Sequence, residues 1–388
     1  MSTEPAMLRT AVRHILLLIP LLCCTLLADG QVLDSAAEAR IKDTVDRYYR
    51  LHPRRHPSHR PSDFKVMPLF GAMYTQETEF LAMGGFMGSG RTSEDTLAPP
   101  STVGAVLMIS TNLSAAGAIT GAWVSRRGDF LVQYSAAYIY GPRYFWGLGY
   151  EAASLDGNRG RMVSHRARAR ADLLYRRGSL LKAGGFVSYA YLGALELTSS
   201  FPMEGEPMET HYAGAGARLD LDTRDSSSEP SRGILITAEE SVHFNLRGGR
   251  PFFRTEVTAD FYLPLWEGGV LALDLYGQLN SRTAPWTVWP DAGGDIRLRG
   301  YYRGRYRDRN LLSAQVELRQ RVYGPHGLAV WGGAGNVFPS FRELDIKNTL
   351  PTYGAGYRLS FLGLVLRLDA GFGLRGQWAV IAGVSHSF

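Results

Sequence analysis

Six arginines crowd into thirteen consecutive residues: Arg297, Arg299, Arg303, Arg305, Arg307 and Arg309. A guanidinium stays ionised at physiological pH and presents five N–H donors in a planar fork, so its chemistry is the capture of carboxylate or phosphate oxygens. Such a density needs acceptors close by, and a charged interior would supply them. Residue types that make and break bonds are scattered instead. Ser164 beside His165, His211, His243, His326 and the run Ser385, His386, Ser387 sit in no Gly-x-Ser-x-Gly setting, and nucleophilic catalysis needs an arranged nucleophile, base and orienting group. The chain is therefore read as a non-enzyme. His52, His56 and His59 fall in the proline-rich stretch HPRRHPSHRPSD, where nothing sets ligand geometry; they read as a solvated basic linker, and no metal or cofactor is implied.

The arginines must be held by something, and the residues that follow show what. From Asn310 on, Ser313, Gln315, Glu317, Arg319 and Arg321 share one face of a period-two pleat, while Leu312, Ala314, Val316 and Leu318 share the other. The same alternation recurs. Arg166, Arg168, Arg170 and Asp172 oppose Ala167, Ala169, Ala171 and Leu173, and Arg218, Asp220 and Asp222 oppose Ala217, Leu219 and Leu221. About sixteen such runs lie between 64–74 and 376–388, among them 128–139 and 268–285. A soluble sandwich would also alternate, but so long a meander would leave edge strands that only closure removes. The fold expected is all-β: a 16-stranded antiparallel transmembrane β-barrel, its apolar face toward lipid, with the long loop between strands 11 and 12 folded into a charged lumen.

Composition agrees with this reading. Gly 44, Tyr 20 and Phe 17 are high counts, charged residues make up only 20%, and no apolar run of 18 residues could form a spanning helix. A mean hydropathy of -0.12 is compatible with barrel strands, which are apolar on one face only. The net charge of +6 suits polar faces and anionic headgroups, and an export signal argues against nucleic acid. That signal is Arg9, Arg13 and His14 followed by the apolar run Ile15 to Ala28, too short to span. Cys23 and Cys24, the only cysteines, lie inside it, so the exported chain would carry no thiol. Lipidation at Cys24 is the weaker alternative. Residues 1–30 are thus read as a signal peptide, 31–63 as a short periplasmic helix (Val32 to Leu51) and a basic Pro/His-rich tether, and 64–388 as the barrel.

Tight turns on alternate connections, such as Arg126 to Asp129, Arg176 to Ser179 and Trp266 to Gly269, mark the periplasmic end. The longer connections 140–160, 198–208, 286–310 and 339–349 would then be extracellular, and the connection 90–100 is longer than this rule expects.

With these elements placed, the chain resembles the bacterial surface antigen family, the outer-membrane assembly and translocation barrels related to BamA and TamA. Leu298, Arg299, Gly300 and Tyr301 are similar to the family's Val-Arg-Gly-Phe/Tyr signature. Asp222, Arg224, Asp225, Pro230 and Gly233 resemble its Asp-x-Arg-Asp turn with a following Pro and Arg-Gly. Tyr144 to Glu151, Ala334 to Phe338, Arg367 to Asp369 and the terminal Phe388 also fit. The resemblance implies that Arg299 turns inward to lock the loop, and that Phe388 is a sorting signal. The family's acidic partner on the thirteenth strand is Gly333 here, so Asp369 or Glu317 is the expected partner. The stretch 31–63 leaves no room for polypeptide-transport-associated domains, so a short member of the family is expected. Implied partners are outer-membrane lipid and lipopolysaccharide, with unfolded outer-membrane proteins or a separate periplasmic subunit, and the implied location is the bacterial outer membrane. Two functions stay open: a barrel that assembles or translocates other proteins, and an accessory or structural barrel with a narrow or plugged pore and no insertase activity.

Overall fold

The computed structural model describes residues 64–388 apart from 96–97, 179, 199–200, 202, 362–363 and 385. The signal peptide, the short helix, the tether and the two cysteines expected at 1–63 lie outside the described residues.

Sixteen strands run antiparallel, each beside its neighbours in sequence, and the first meets the last to close the barrel. They are β1 Lys65–Thr75, β2 Glu79–Gly90, β3 Ser101–Ser110, β4 Ala115–Val124, β5 Phe130–Phe145, β6 Gly160–Arg177, β7 Leu181–Thr198 and β8 Glu209–Asp222. The second half comprises β9 Gly233–Asn245, β10 Phe252–Trp266, β11 Gly269–Asn280, β12 Asn310–Tyr323, β13 His326–Phe338, β14 Leu350–Phe361, β15 Leu364–Phe372 and β16 Trp378–Val384. Among the described residues a short α-helix, α1 Gly149–Ser154, sits between β5 and β6. Among the described residues no helix is long and apolar enough to cross a membrane; strands do the crossing.

Alternation decides which side chains meet which solvent. On β12, Ser313, Gln315, Glu317 and Arg319 are buried, while Ala314 and Val316 between them are exposed. Outward positions elsewhere carry exposed Leu107, Ile109, Leu173, Val187, Leu263 and Leu368. An apolar exterior over a charged interior is the inverse of a soluble barrel, and is what a lipid-facing wall requires.

Three boundaries differ by more than three residues from the sequence reading. β5 continues past the expected end at 139 to Phe145, because its last residues pair with the start of β6 down to Phe145 opposite Gly160. β11 stops at Asn280 rather than 285, where Ser281 opens the long connection by bonding back to Phe253. β16 stops at Val384, and the residues after it turn inward: the Ser387 hydroxyl donates to Glu317 at 3.3 Å and the Phe388 main-chain oxygen accepts from Arg319 at 2.8 Å. The over-long connection between β2 and β3 also has a physical account. It folds back over the turn end of the barrel, where Ala98 packs with Val124, Leu131 and Leu174 and the Thr92 hydroxyl donates to the Val124 carbonyl at 2.8 Å.

Candidate functional site

The connection between β11 and β12, residues 281–309, first folds on itself. Asp291 bridges Arg307, Ala292 donates to the Tyr306 carbonyl at 3.0 Å, and Gly294 donates to that of Tyr301 at 3.1 Å. Its apolar residues Ala292, Leu298, Tyr301, Tyr302 and Tyr306 then pack with Trp146, Leu311, Val337 and Leu350. Each of the six arginines meets an acceptor. Arg297 takes Asp274 at 2.7 Å, Arg305 takes Asp156 at 2.6 Å, Arg307 takes Asp291, and Arg309 takes the Pro339 carbonyl at 2.8 Å. Arg303 holds its guanidinium 3.9 Å from Asp295 and donates its main-chain N–H to Glu77 at 2.7 Å.

Arg299 is the most enclosed. Its side chain and those of Glu317 and Asp369 are all 0% exposed, with Nη2 2.6 Å from Glu317 and Nη1 2.9 Å from Asp369. Nε reaches Gln315 at 3.3 Å, and the guanidinium carbon lies 3.6 Å from the Trp331 ring centroid. The carboxylates come from β12 and β15. β13 contributes the aromatic face, two residues from Gly333, where a side chain would come within 2.7 Å of the Ala314 carbonyl. Three further guanidiniums close on the same two carboxylates: Arg319 at 2.8 Å from Glu317, Arg358 at 3.6 Å from Glu317 and also on Asp369, and Arg367 at 3.3 Å from Asp369. Four cations around two buried anions leave an excess that Asp295, 3.4 Å from Arg367, partly offsets.

The neighbours of Arg299 are held by backbone as much as by charge. Leu298 sits at φ +52, an uncommon conformation for a branched residue that persists only where its surroundings over-determine it; its side chain is 2% exposed. Gly300 lies at φ +116, and a Cβ there would come 2.7 Å from the Phe372 backbone, while one on Gly371 would come 2.8 Å from the Arg299 carbonyl. Only hydrogen at both positions lets the connection approach β15 this closely. Tyr301 donates its hydroxyl to the Pro351 carbonyl at 2.6 Å and accepts from Leu374 at 2.9 Å.

Away from the strands, two loop carboxyls move in opposite directions. Burial alone would raise Asp291, but Arg307, Arg143 and Arg303 hold it well below the usual carboxylate range. Burial pushes Asp308 up to about 6, against the lowering effect of the Arg309 N–H.

The second motif lies at the opposite end of the barrel. Asp222 accepts the Arg224 N–H at 3.1 Å and its Nε at 3.0 Å. Asp225 accepts the N–H groups of Ser231 at 2.9 Å and Arg232 at 3.3 Å, Pro230 is buried, and Gly233 returns the chain at φ +103. These bonds stay within the turn. The structure does not bring the scattered serines and histidines together as a triad. Ser241, which the sequence reading passed over, meets His243 at 3.0 Å on the inner face of β9; the i, i+2 spacing on a strand was the available signal. Among the described residues no carboxylate bonds to that imidazole, and no group of three His, Cys, Asp or Glu stands close enough to hold a metal. His52, His56 and His59 lie outside the described residues.

A further feature is the closure. β1 and β16 register only at Tyr74 opposite Ala382, and the Gln76 amide donates to the Trp378 carbonyl beside it. By contrast, β15 and β16 register continuously from Leu366 opposite Val384 to Phe372 opposite Trp378. Toward the turn end, Lys65 to Met73 therefore has β2 on one side and no registered strand on the other among the described residues.

No family model matches the sequence. No curated protein matches it either. Solved structures do match. CdiB from Acinetobacter baumannii superposes with a TM-score of 0.55 at 12% identity, over 83% of this chain and 59% of that one. BamA from Haemophilus ducreyi lacking POTRA domains 1-3 gives 0.56 at 12% identity, over 84% and 70%. CdiB from Escherichia coli gives 0.59 at 13% identity, over 82% and 62%. At these identities the likeness is one of fold: this chain is built as the barrels of BamA and CdiB are. It spans less than two thirds of the length of either CdiB chain.

Proposed function

We propose that this chain is an outer-membrane barrel of the BamA and CdiB kind that handles other polypeptides at the junction of β1 and β16, assembling or translocating them. The observation that carries the reading is the closure itself. A strand edge with unpaired N–H and C=O groups is a template for another strand, and β-strand addition gains main-chain hydrogen bonds without regard to client sequence. In a bilayer such an edge is costly, since no water satisfies it, so the segment Lys65 to Met73 is poised to accept a partner. Two devices keep it available. β16 ends at Val384, and the tail beyond it is drawn to Glu317 and Arg319. The Arg299 cluster holds β12 to β15, on the β16 flank of the junction, in one arrangement while the junction changes. No catalytic step is invoked, and strand exchange needs no cofactor.

Photo-crosslinking probes at Met67, Leu69, Val380 and Val384, with captured species identified by mass spectrometry in cells, test this. Unfolded outer-membrane precursors among the adducts are expected. Lipid alone, or one constant folded partner, would leave an accessory barrel instead.

A further inference from the structure

The inner wall changes character at β6. Across one register row, Leu69, Gly85, Val106, Ala118 and Ala137 stand side by side on β1 to β5, and the next position is Arg168. The adjacent row runs Gly71, Met83, Met108, Ala116, Ile139 and ends on Arg166. No charged residue faces inward on β1 between Met67 and Met73, on β2 between Leu81 and Ser89, or on β3 and β4. This strip begins at the weakly paired junction and ends on two guanidiniums. Neither the Arg166 nor the Arg168 side chain makes a hydrogen bond or ion pair among the described residues, and Arg166 Nε is buried without a partner. Beside them Arg143, with a side chain only 10% exposed, reaches Asp291 at 3.6 Å but leaves Nε and Nη2 unpartnered. Arg166 and Arg168 also border a cavity of about 500 Å³ between β6 to β11 and the 281–309 connection.

We propose that this strip and the arginines at its end bind a membrane lipid with a phosphate headgroup, which enters between β1 and β16. The acyl chain lies along the β1 to β5 wall, and the phosphate bonds to Arg166, Arg168 and the free nitrogens of Arg143. Buried guanidinium nitrogens without acceptors are costly, and a phosphate satisfies several at once. The apolar wall is removed from water by an acyl chain laid along it, which is favourable. Its methionines and small residues suit a flexible chain of no fixed shape. Dimensions agree as well: five strand spacings of about 4.8 Å separate β1 from β6, on the order of 24 Å. One leaflet of hydrocarbon is about 15 Å deep, which leaves the remainder for the glycerol and headgroup. The occupant is taken as lipid rather than free phosphate because the two rows leading to the arginines are apolar and open at a junction flanked by exposed Val66 and Phe70.

This inference stands apart from the proposed handling of clients, since a barrel that assembles nothing could still bind lipid. A photo-crosslinking residue at the inward Ala118 position of the full chain, in cells, should yield a glycerophospholipid adduct by mass spectrometry. Combining Arg166→Gln and Arg168→Gln should lower it at least tenfold, while an outward probe at Leu107 keeps its lipid adduct. Native mass spectrometry of the purified wild-type chain should show saturable binding of dioleoylphosphatidic acid and none of dioleoylglycerol, which tests the headgroup even if the arginine variants fail to fold. Capture of residues 31–63 or of another polypeptide at Ala118 would overturn the lipid reading, and a polypeptide there would still support client handling. Saturation by inorganic phosphate to the same extent, or an adduct indifferent to the arginine changes, would overturn it too.

Discussion

At the scale of single residues, the centre of the molecule is two carboxylates among four guanidiniums, and removing an anion differs from removing a cation. Without Arg299, Glu317 keeps Arg319 and Arg358, and Asp369 keeps Arg358 and Arg367. No buried anion is left alone, and the local excess of positive charge falls. Glu317→Gln does the reverse, because it removes the charge that Arg299, Arg319 and Arg358 share and turns one of the two acceptor oxygens into an N–H donor facing a guanidinium. Breaking a buried pair by neutralising one partner costs about 3–5 kcal/mol. Glu317→Gln is therefore expected to lose stability in that range, and Arg299→Met distinctly less, in urea unfolding of the barrel refolded into vesicles. The opposite order would mean that the arginine, not the carboxylate, organises the cluster. The family resemblance implied the inward turn of Arg299, and strand phase pointed Asp369 and Glu317 into the lumen as its partners, because residues two apart on a strand share a face. That both acids bind it together, with Trp331 beneath, follows from neighbours distant in sequence and was not legible.

Elements were legible where charge marked one face. β6, β8, β10 and β12 alternate arginine or acid with alanine, leucine or valine, and their limits came close. β1 to β4 were harder, since both faces carry small or apolar residues and only pairing assigns Leu107 outward and Met108 inward. The ends of β5, β11 and β16 were misjudged for a different reason: each is set by a partner strand or by tertiary bonds rather than by local pattern. The 281–309 connection is itself an element with a pH response. Asp308 has its carboxyl pushed up to about 6 from 3.8, so the protonated form is favoured in the folded chain. Its contribution is present in full below about pH 4 and is lost as pH rises through about 6, leaving a penalty of about 3 kcal/mol at neutral pH. Asp291, depressed by its arginines, acts the other way and only below about pH 4. Between pH 4 and 6 the wild-type barrel should lose stability, as pH rises, relative to Asp308→Asn, followed by tryptophan fluorescence on unfolding. Asp308→Asn should stabilise the neutral form; a constant difference between the two chains across that range would show that Asp308 does not control it.

At the scale of the whole molecule, the barrel is asymmetric: β6 to β15 carry most of the buried charge and the 281–309 connection, while the inner face of β1 to β4 from Met67 on carries no charge and leads to the weak junction. Rigidity and opening are thereby assigned to different sides, which a uniformly filled lumen could not do. The asymmetry also predicts how the pore behaves when the connection is shortened. Joining Gly293 to Arg309 removes residues 294–308, with five arginines and two aspartates, a net charge of +3. Asp274 loses Arg297 and Asp291 loses Arg307, keeping only Arg143 at 3.6 Å, whereas Glu317 and Asp369 keep Arg319, Arg358 and Arg367, so the barrel retains its internal pairing. The freed aspartates then face the space the connection occupied. In planar bilayers the shortened chain should conduct several-fold more than wild type and shift toward cations, because freed carboxylates raise the local concentration of counter-ions. Conductance equal to wild type would mean that something other than this connection limits the pore. A rise without a selectivity change would mean that the freed aspartates find new partners, and that the charge of the connection is not what sets the field in the lumen.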